Sequence, residues 1–496
     1  MRALISVYDR RGLEVFAREL AELGVELVTT GGSTETYLRE LGLDPTSIEV
    51  PQMLGGRVKT LHPRVHAGIL ARRDLEEDVA TLVETGIEPI DLVVVNLYPF
   101  TSDPGVELID VGGPAMLRAA AKNFAHVAAV CDPDDYDAVI AELRERNELS
   151  AETRRGLAAK VFAHTSAYDG AIARWLGGDD FFPERLVPAF VKELELAYGE
   201  NPHQRAAYYR GADAACHLLS DVEKLHGRDL SFINLYDLAA ARGLLAELGD
   251  QAACVIVKHA NPCGVAVAGT VDEAYELAYA GDPLSAFGMV IALNRPVGAA
   301  LGESLAQRFI DVLYAPGYEP AGLEALQRKA DTRLLQGPAI EPGGLDAKRV
   351  PGGILVQETD SLLEARDQME LVCGVLDEDG WQDVLFAWAV CKHVSSNAIV
   401  LARNRQAVGI GAGQQSRVDA VRLAVDKAIE RGHDLNGAVL ASDAFFPFAD
   451  GPQLALEAGV RAVIQPGGSK RDSEVVAAVG KAGAAMVFTH HRHFRH

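Results

Sequence analysis

Short apolar runs that alternate with amphipathic stretches constrain the fold of this chain more than any other feature of its sequence. In the first 132 residues these runs are ALISV (3–7), VELVTT (25–30), DLVVVNLY (91–98) and HVAAVCD (126–132). Turn residues bound each run, and the segments between them include helical patterns. Such runs are typical of parallel strands with both faces covered, so this part of the chain predicts a doubly wound α/β domain.

The length of 496 residues exceeds what one hydrophobic core supports, so two or three domains are expected. A long helix is predicted over 151–176, and GGDDFFPE (177–184) after it is the best linker candidate. A second α/β region follows, roughly twice the length of an ordinary sheet domain. Its predicted strands are ACVIVKH, GMVIAL, DVLYAP, NAIVLA, GAVLAS, RAVIQP and AAMVFT.

A similarity between two segments of this second region offers a reason for its length. KHANPCGVAVA begins at residue 258, and KHVSSNAIVLA begins at residue 392. Two segments of this kind predict duplicated half-domains with a site between them. The identities are few, and coincidence is the alternative.

The charge and the cysteines narrow the class of protein. A formal net charge of −23 argues against a nucleic-acid or anionic-membrane partner, because both need clustered Lys and Arg. The N-terminal MRALISVYDRRG has too few apolar residues for an export signal, and no later run approaches a membrane span. The six cysteines include no CxxC pair, so a soluble cytoplasmic protein with reduced thiols is expected.

Two stretches of the first region suit phosphate binding. TTGGST (29–34) lies where a strand ends and a helix begins, so free backbone N–H groups and two hydroxyls can face an anion. An ordinary strand-to-helix turn explains the glycines about equally well. GGRVKTLHPRVHAGIL (55–70) then places five basic or imidazole side chains in a segment punctuated by Gly and Pro, as though a loop presents them inward.

Two further stretches carry groups suited to acid–base chemistry. NLYPF (96–100) places Asn96 and Tyr98 at the end of a buried strand, where α/β sites generally lie. DVGGPAMLRAAAKN (110–123) has Asp110 before a second Gly-Gly turn and Lys122 at the far end of the following helix. Asp, Tyr, Lys and Arg together can deprotonate a weak nucleophile and stabilise an oxyanion.

The stretch VKHANPCG (257–264) admits three interpretations. A zinc deaminase site needs a second Cys and an HxE motif, and neither lies around NPCG. A thiol nucleophile paired with His259 ranks below a packing role for Cys263. Lys258 and His259 at a strand end suit formyl transfer between nitrogens, and a salt-bridged Lys beside a hydrogen-bonded His is the structural alternative.

The motifs of the whole chain, taken in order, closely resemble the AICAR transformylase/IMP cyclohydrolase family. Those similar to its cyclohydrolase half are SVYDRRG, TTGGS, GGRVKTLHPRVHAGIL, NLYPF, IDVGGPAMLRAAAKN and AHTSAYD. Those similar to its transformylase half are LAYGENPHQ, KHANPCG, DPLSAFG, DVLYAPGYE, LFAWAVCKHVSSNAIV, GIGAGQQSR, SDAFFPFAD and RHFRH. The resemblance implies a methylglyoxal-synthase-like domain over 1–180. It also implies a transformylase domain over 190–496, with two cytidine-deaminase-like halves that divide near 345–375.

The resemblance also implies two consecutive reactions. The 5-amino group of AICAR takes the formyl group of 10-formyltetrahydrofolate, giving FAICAR, and FAICAR then closes to IMP with loss of water. The folate is a co-substrate, no metal or redox cofactor is expected, and a homodimer is expected. The alternatives are a monofunctional transformylase whose first domain only binds nucleotide, and a nucleotide-binding regulator without catalysis.

The residue roles implied by the resemblance fall into two groups. In the cyclohydrolase half, the substrate and its 5′-phosphate would be bound by Arg10, Thr30, Gly31, Gly32, Ser33, Thr34, Lys59, Thr60 and Asn96. The base being closed would be surrounded by Arg57, Lys59, Tyr98, Asp110 and Lys122. In the transformylase half, the formyl-transfer residues would be Lys258, His259 and Asn397. The AICAR-binding residues would be Tyr198, Arg417 and Arg492, and the folate-side candidates Phe287, Asp311, Phe445, Pro447, Phe448 and Asp450. For Phe445 and Phe448 a core position is nearly as good an interpretation.

The chain departs from the family pattern at several positions. Tyr8 and Arg10 stand where the family has a small hydroxyl residue and a lysine, and the bulk of Tyr8 is expected to narrow the phosphate pocket. The loop SDPGVEL before Asp110 is shortened. Ala197 in LAYGENPHQ replaces an arginine of the family, and weaker AICAR binding is expected from this change.

Overall fold

The computed structural model of the chain describes residues 1–51, 53–178, 180–212, 214–340 and 343–496. These residues form two compact units, each described here by itself. Unit 1 comprises Met1–Val191 and a short segment from Gly211, and unit 2 comprises Lys192–Arg210 and Ala214–His496. Asp179 of the predicted linker lies outside the described residues.

Unit 1 contains a parallel α/β sheet. Its strands are β1 (Arg2–Ser6), β2 (Glu26–Thr29), β3 (Thr46–Ser47), β4 (Leu92–Val95) and β5 (Ala128–Val130). Its helices are α1 (Leu13–Glu22), α2 (Ser33–Glu40), α3 (Pro63–Leu70), α4 (Glu76–Thr85), α5 (Gly112–Lys122), α6 (Tyr136–Arg146) and α7 (Ala151–Gly177). The strand order is β3-β2-β1-β4-β5, with parallel neighbours throughout. The predicted apolar runs form β1, β2, β4 and β5, and the helix predicted over 151–176 is α7.

Both faces of this sheet are covered, which explains the unbroken apolar runs. Leu92 and Val94 of β4 enter the core with residues of α1 and α6. Val93 and Val95, which point the other way, enter the core with residues of α3, α5 and α7. The chain order reverses between β1 and β4, so a crevice opens at their carboxyl ends, the usual ligand position in such sheets.

Unit 2 is built on a mixed sheet of twelve strands among the described residues. The elements of its first half are β8 (Glu223–His226), α8 (Phe232–Glu247), β9 (Ala252–Lys258), β10 (Asn261–Ala268), α9 (Val271–Gly281), β11 (Met289–Leu293), α10 (Ala299–Ala306), β12 (Ile310–Ala315), α11 (Pro320–Gln327) and β13 (Arg333–Gln336). Those of its second half are β16 (Glu370–Cys373), α12 (Glu378–Lys392), β17 (Ile399–Arg403), β18 (Gln406–Gly411), α13 (Arg417–Glu430), β19 (Val439–Ser442), α14 (Asp450–Glu457), β20 (Ala462–Gln465), α15 (Asp472–Lys481) and β21 (Ala485–Phe488). A separate two-stranded sheet pairs β14 (Leu345–Val350) with β15 (Gly353–Glu358). Another pairs β6 (Phe190–Leu196) with β7 (Ala206–Gly211), whose outermost residues belong to unit 1.

The two halves of unit 2 repeat one topology. The strand order is β16-β21-β20-β19-β17-β18 in one half and β10-β9-β11-β12-β13-β8 in the other, and the halves join where β10 pairs antiparallel with β18. Corresponding strands pair in the same sense, for example β9 with β10 and β17 with β18 as antiparallel hairpins. Helices α8 and α12 pack on one face of the sheet, and the remaining helices of both halves pack on the other. The duplication expected from the sequence is therefore present in the fold.

The register predicted for that duplication is wrong. Lys258 ends a strand, whereas Lys392, its proposed counterpart, ends helix α12. The residue that occupies the place of Lys258 in the second half is Arg403, the last residue of β17. The two Lys-His dipeptides have the same sequence but lie in different secondary-structure elements.

Strand β10 shows why the sequence did not reveal the central hairpin. It begins with Asn261 and Pro262, and its pairing with β9 shifts register between Pro262 and Gly264. Proline removes a backbone donor and is confined in sheets to edges and bulges, so NPCG looks like a turn rather than a strand. None of the described helices is both long and apolar enough to cross a membrane.

In each half of unit 2, a strand glycine packs closely against a helix carbonyl oxygen. A Cβ added to Gly264 would lie 2.1 Å from the Ala278 carbonyl oxygen, and one added to Gly409 would lie 2.3 Å from that of Ala424. Both contacts are with a helix that crosses the sheet, α9 or α13. Only glycine allows the helix to approach the strand this closely, and it stands at the corresponding position of each half.

We expect Gly409→Ala to destabilise unit 2 by about 1–3 kcal/mol or more, because the added methyl group must push a helix away from the sheet. Gly317→Ala is the matched control, since its Cβ would meet only ordinary contacts from 3.8 Å outward. Urea unfolding followed by circular dichroism measures both variants. Equal stabilities for the two variants would show that the close approach at Gly409 is absent.

Candidate active sites

A cavity of about 680 Å³ lies at the carboxyl ends of β1, β2 and β4 in unit 1. This is the crevice that the strand order creates. Of the residues predicted for the cyclohydrolase site, those that line it are Arg10, Gly31, Ser33, Thr34, Arg57, Lys59, Thr60, Asn96, Tyr98 and Asp110.

The Gly-Gly turn after β2 and a lysine form the polar end of this cavity. Gly31 and Gly32 have φ of 82° and 88°, and helix α2 begins directly after them at Ser33. The Lys59 ammonium donates to the Gly31 carbonyl oxygen at 2.9 Å. Burial lowers the pKa of Lys59, and the nearby Glu35 carboxylate opposes that shift. A helix N-terminus beside a lysine is suited to bind a phosphate.

Some predicted binding residues instead support the backbone around the cavity. The Thr34 hydroxyl donates to the Val7 carbonyl oxygen at 3.2 Å and accepts from the Val7 N–H at 3.3 Å. The Asn96 side chain accepts from the N–H groups of Tyr8 and Asp9 at 2.7 and 3.0 Å. Thr30 is 3% exposed. Thr34 and Asn96 therefore hold the loop after β1 in place.

The acid–base candidates of unit 1 also line this cavity. Burial raises the pKa of Asp110, whose carboxylate accepts from the Gly113 N–H at 2.8 Å. Burial, and then the Asp110 charge, also raise the pKa of Tyr98. Tyr168, which belongs to the AHTSAYD motif but is not among the predicted site residues, accepts from the Asp110 N–H at 2.8 Å through its hydroxyl. The Tyr8 ring packs edge-on against Tyr98, with the ring centres 5.6 Å apart.

Two predicted side chains behave differently from expectation. Arg57 lines the cavity but forms an ion pair with Glu107. Lys122 lines a separate groove with Phe124 and Phe162. It is the last residue of the 11-residue helix α5, whose first residues lie at the cavity, so roughly 15 Å of helix separates them. In the single chain Lys122 is therefore not grouped with Tyr98 and Asp110 in one cavity, and its place beside the base stays a prediction.

The Lys258–His259 pair of unit 2 forms part of a tight hairpin turn between β9 and β10. His259 and Ala260 both have positive φ, 54° and 60°, as a two-residue hairpin turn requires. The buried Asp237 carboxylate of α8 accepts from both of their N–H groups, at 3.2 and 2.6 Å. This pair of hydrogen bonds offsets the cost of left-handed backbone at residues other than glycine.

Lys258 is oriented by two carbonyl oxygens. Its ammonium donates to the carbonyl oxygens of Phe287 and Gly288, the second at 2.9 Å. An ammonium has three donors, so one remains for a ligand. Lys258 and the exposed His259 line a cavity of about 220 Å³ with residues of both halves, among them Asp282 and Lys427.

Asn397 and Arg417 lie near this turn but have partners of their own. Asn397 donates to the Gln414 carbonyl oxygen at 2.9 Å and accepts from Arg417 at 2.7 Å. Arg417 is 9% exposed and also donates to Ser442 at 2.8 Å and to Asp443. The predicted direct contact of Arg417 with the nucleotide is not favoured by this burial; its guanidinium orients Asn397.

A hydrogen bond joins the two segments. The Asn261 side chain, next to the hairpin turn, accepts from the Ser395 N–H at 2.8 Å, two residues before Asn397. Antiparallel pairing from β9 through β10 and β18 to β17 reverses direction three times. The end of β9 and the start of β17 therefore lie at the same edge of the sheet. Sequence analysis did not indicate Asn261 or Asp237 as site residues.

The remaining predicted residues of unit 2 are mostly at the surface. Phe287, Phe445 and Phe448 are 67%, 41% and 49% exposed, so the core interpretation of Phe445 and Phe448 is wrong. The buried phenylalanine of that segment is Phe446, at 1%. Other predicted site residues that are exposed are Tyr198, Pro447, Asp450 and Arg492, while Asp311 is partly buried in β12.

Cys263 has the environment of a packing residue. Its thiol lies 3.6 Å from the Ile256 carbonyl oxygen, and burial raises the pKa of Cys263 to about 12. Among the described residues, no three His, Cys, Asp or Glu side chains are grouped as metal ligands.

The fold and these cavities define a two-unit α/β protein. One unit has a cavity suited to an anion where the strand order of its sheet reverses. The other unit is internally duplicated and carries Lys258 and His259 at a hairpin turn. Comparison with known families agrees with this description. Residues 12–121 match the MGS-like domain, and residues 120–427 match the AICARFT/IMPCHase bienzyme. The chain belongs to the AICARFT/IMPCHase bienzyme family, which confirms the predicted family and fold class.

Three PurH relatives that are similar along their whole length support this assignment. The bifunctional purine biosynthesis protein PurH of Anaeromyxobacter sp. (strain K) is 48% identical over 528 residues, covering 100% of this chain and 99% of that protein. PurH of Acidithiobacillus ferrooxidans is 48% identical over 523 residues, with the same coverage. PurH of Myxococcus xanthus is 47% identical over 518 residues and is covered completely. The crystal structure of ForH is 43% identical, covers 35% of this chain and 97% of its own, and has a TM-score of 0.32.

For Lys59 we expect a pH-dependent contribution to nucleotide binding. Because its pKa is lowered, Lys59 loses its proton at a lower pH than an ordinary lysine, and IMP binding should weaken by up to about tenfold as pH rises toward 10. Two other titrating groups do not cause this loss of binding. A phosphate is already doubly charged above about pH 7, and the raised pKa of Tyr98 keeps its hydroxyl protonated to a higher pH.

Lys59→Arg is the matched variant, since arginine stays charged throughout this range. Isothermal titration with IMP at several pH values should give a flat profile for this variant. Parallel profiles for the variant and the unmodified protein would contradict the role of Lys59.

For Cys263→Ala we expect formyl transfer to fall by less than about threefold, because a thiol whose pKa is about 12 is not an active nucleophile at neutral pH. The measurement is the rate of tetrahydrofolate release with AICAR and 10-formyltetrahydrofolate. A folded variant without turnover would restore the thiol mechanism.

Proposed function

We infer that this chain is a bifunctional enzyme that transfers a formyl group from 10-formyltetrahydrofolate to AICAR and then closes FAICAR to IMP. Membership of the bienzyme family supports both activities, and the PurH relatives are named as bifunctional purine biosynthesis proteins. The observation that carries the transferase assignment is the fixed Lys258–His259 turn, held at the same sheet edge as Asn397. We assign the cyclohydrolase to residues 1–180 and the transformylase to residues 190–496, divided near 345–375.

In the formyl transfer, the 5-amino group of AICAR attacks the formyl carbon while it loses a proton. That amine is a poor nucleophile, because its lone pair is delocalised into the ring and carboxamide, so proton removal must accompany attack. The exposed His259 accepts this proton. Lys258, with one N–H left free by its two carbonyl partners, stabilises the tetrahedral oxyanion and helps to protonate the departing folate nitrogen.

The binding roles in this half follow from exposure and hydrogen bonding. Tyr198 and Arg492 are the accessible candidates for AICAR, while Arg417 orients Asn397 toward the formyl group. On the folate side, the exposed rings of Phe287, Phe445 and Phe448 suit a flat pterin, with Asp311, Pro447 and Asp450 as further candidates. Ala197 removes one cation that the family pattern supplies.

In the ring closure, the carboxamide nitrogen attacks the new formyl carbon and water leaves. Both groups belong to one molecule, so the site needs mainly to orient them. Arg10, Ser33 and Lys59 surround the phosphate end of the cavity, and Tyr98 and Asp110 face the base. Lys122 is omitted from this set because it lies in a separate groove of the single chain.

The setting of the enzyme is part of the proposal. A net charge of −23 disfavours nucleic-acid and anionic-membrane partners, so we propose small-molecule substrates only. We also propose a cytoplasmic homodimer in which neither reaction uses a metal or redox cofactor.

Separate variants should divide the two activities. We expect Lys258→Met to lower formyl transfer by roughly 10²–10⁴-fold, since it removes the charge but keeps the apolar stem, and to leave closure of supplied FAICAR unchanged. Tyr98→Phe is the reciprocal variant and should slow only the closure. The measurements are tetrahydrofolate release and IMP formation, both followed in the ultraviolet.

Two outcomes would overturn the proposal. Closure of FAICAR at the background rate by the unmodified protein would leave a monofunctional transformylase. Absence of tetrahydrofolate release would leave a nucleotide-binding protein without transferase activity.

A further inference from the structure

The last residues of the chain alternate between exposed and buried positions. After β21, Arg492 and Phe494 are exposed, and the Arg492 guanidinium lies 4.6 Å from the centre of the Phe494 ring. His493, between them, is 2% exposed. A histidine this deeply buried needs partners for both ring nitrogens.

Two carboxylates supply those partners. His493 Nδ1 lies 2.6 Å from Asp360 Oδ2, and His493 Nε2 lies 3.2 Å from Glu364 Oε2. Trp388 donates to the same Glu364 oxygen at 2.8 Å and packs edge-on against the imidazole, with ring centres 5.2 Å apart. Carboxylates only accept hydrogen bonds, so both ring nitrogens must carry protons, and the ring is an imidazolium.

The charged state follows from the same contacts. Burial alone would lower the pKa of His493, but the hydrogen bonds and charges of Asp360 and Glu364 outweigh it and raise that pKa to about 9. Burial would raise the pKa of Glu364, but its bonds to His493 and Trp388 hold that pKa at about 2. Two other titratable groups act on this cluster: His491, whose Nδ1 lies 3.1 Å from Glu364, and Lys392, whose charge helps to lower the pKa of Asp360.

The backbone of this segment reaches the candidate transformylase site. The His493 N–H donates to the Asp443 carbonyl oxygen at 3.0 Å, and the Asp443 side chain accepts from Ser396 and Arg417. The Ser396 N–H donates to the Arg495 carbonyl oxygen at 2.8 Å, and the Arg495 N–H donates to the Ser396 hydroxyl at 3.2 Å. Ser396 immediately precedes Asn397.

We propose that His493 is a positioning residue of the transformylase: clamped between Asp360 and Glu364, it fixes the C-terminal segment so that Arg492 faces AICAR and the Ser396–Asn397 loop keeps its place. This inference rests on the proposed role of Arg492 and Asn397 in formyl transfer. The charge of His493, not its volume, is the property that matters, because a neutral ring satisfies only one of the two carboxylates.

The sign of the pH dependence follows from the direction of the shift. A histidine whose pKa is raised in the folded protein contributes stability that is complete below its unfolded value of about 6.5. That contribution is lost as pH rises through about 9. Order in the C-terminal segment should therefore decrease over this range.

The test compares His493→Gln with His490→Asn. His490 is an exposed histidine of the same segment with φ of 66°, a backbone conformation that asparagine accepts. We expect His493→Gln to raise the KM for AICAR about tenfold or more and to leave closure of FAICAR unchanged. His490→Asn should resemble the unmodified enzyme. The unmodified enzyme should lose AICAR affinity as pH rises through 9, and His493→Gln should not show this additional loss.

Hydrogen exchange of residues 489–496 provides a readout that does not depend on activity. We expect faster exchange in His493→Gln, and in the unmodified enzyme as pH rises through 9 after correction for the intrinsic rate. Asp360→Asn, at a half-exposed partner, keeps the buried imidazole and should give a smaller change in the same direction. The effects of Asp360→Asn and His493→Gln should be less than additive when the two are combined.

The outcomes separate this inference from the proposed function. If the unmodified enzyme lacks formyl transfer, the proposed function fails, and hydrogen exchange still tests the clamp. If the enzyme is active but His493→Gln keeps the original KM, pH profile and exchange rates, the positioning role of His493 is wrong. A variant that loses kcat alone, with KM and exchange unchanged, would also overturn it.

Discussion

Two buried aspartates that each hold a hairpin turn are the interactions on which unit 2 depends. Asp237 accepts from the backbone N–H groups of residues 259 and 260, and Asp383 accepts in the same way from residues 404 and 405. All four of these turn residues have positive φ without being glycine. Such backbone is costly, so the turns persist because a desolvated carboxylate binds two N–H groups at once. One of these turns carries Lys258 and His259.

Much of the fold was predictable because burial on both faces of a sheet leaves unbroken apolar runs. Seven runs predicted in the second region became strands, and the helix over 151–176 was placed within one residue of its observed end. The central strands β10 and β18 were missed, because one begins with Asn-Pro and both contain glycines where a helix carbonyl oxygen approaches. Those glycines allow a helix to pack closely on the strand, whereas glycine in a sequence usually indicates a turn.

The sites were predictable where a motif fixes the backbone and less so where it only supplies a side chain. Gly31 and Lys59 lie together as the sequence indicated, since the turn between strand and helix determines their geometry. Lys122 lines another groove, because helix direction, not sequence proximity, decides which cavity a residue reaches. Thr34 and Asn96 illustrate a third case: polar groups at strand ends are often needed to satisfy neighbouring backbone. Asp237 gave no signal, because a lone acid within a helical pattern looks like a surface residue.

The duplication explains why a hairpin turn with proton-transferring side chains and a strand start with an amide side chain lie at the same edge of the sheet. Because the two halves repeat one topology, each edge carries the hairpin turn of one half and the start of a strand from the other half. The antiparallel junction of β10 and β18 brings the turn of the first half beside the start of β17 from the second. The turn offers Lys258 and His259, which can move protons, whereas the start of β17 offers Asn397, which can only bind. At the opposite edge the turn carries Asn404 and Arg405, and the Arg405 guanidinium contacts Gln251. One edge therefore carries the groups proposed for formyl transfer, whereas the turn at the other edge makes contacts within the protein.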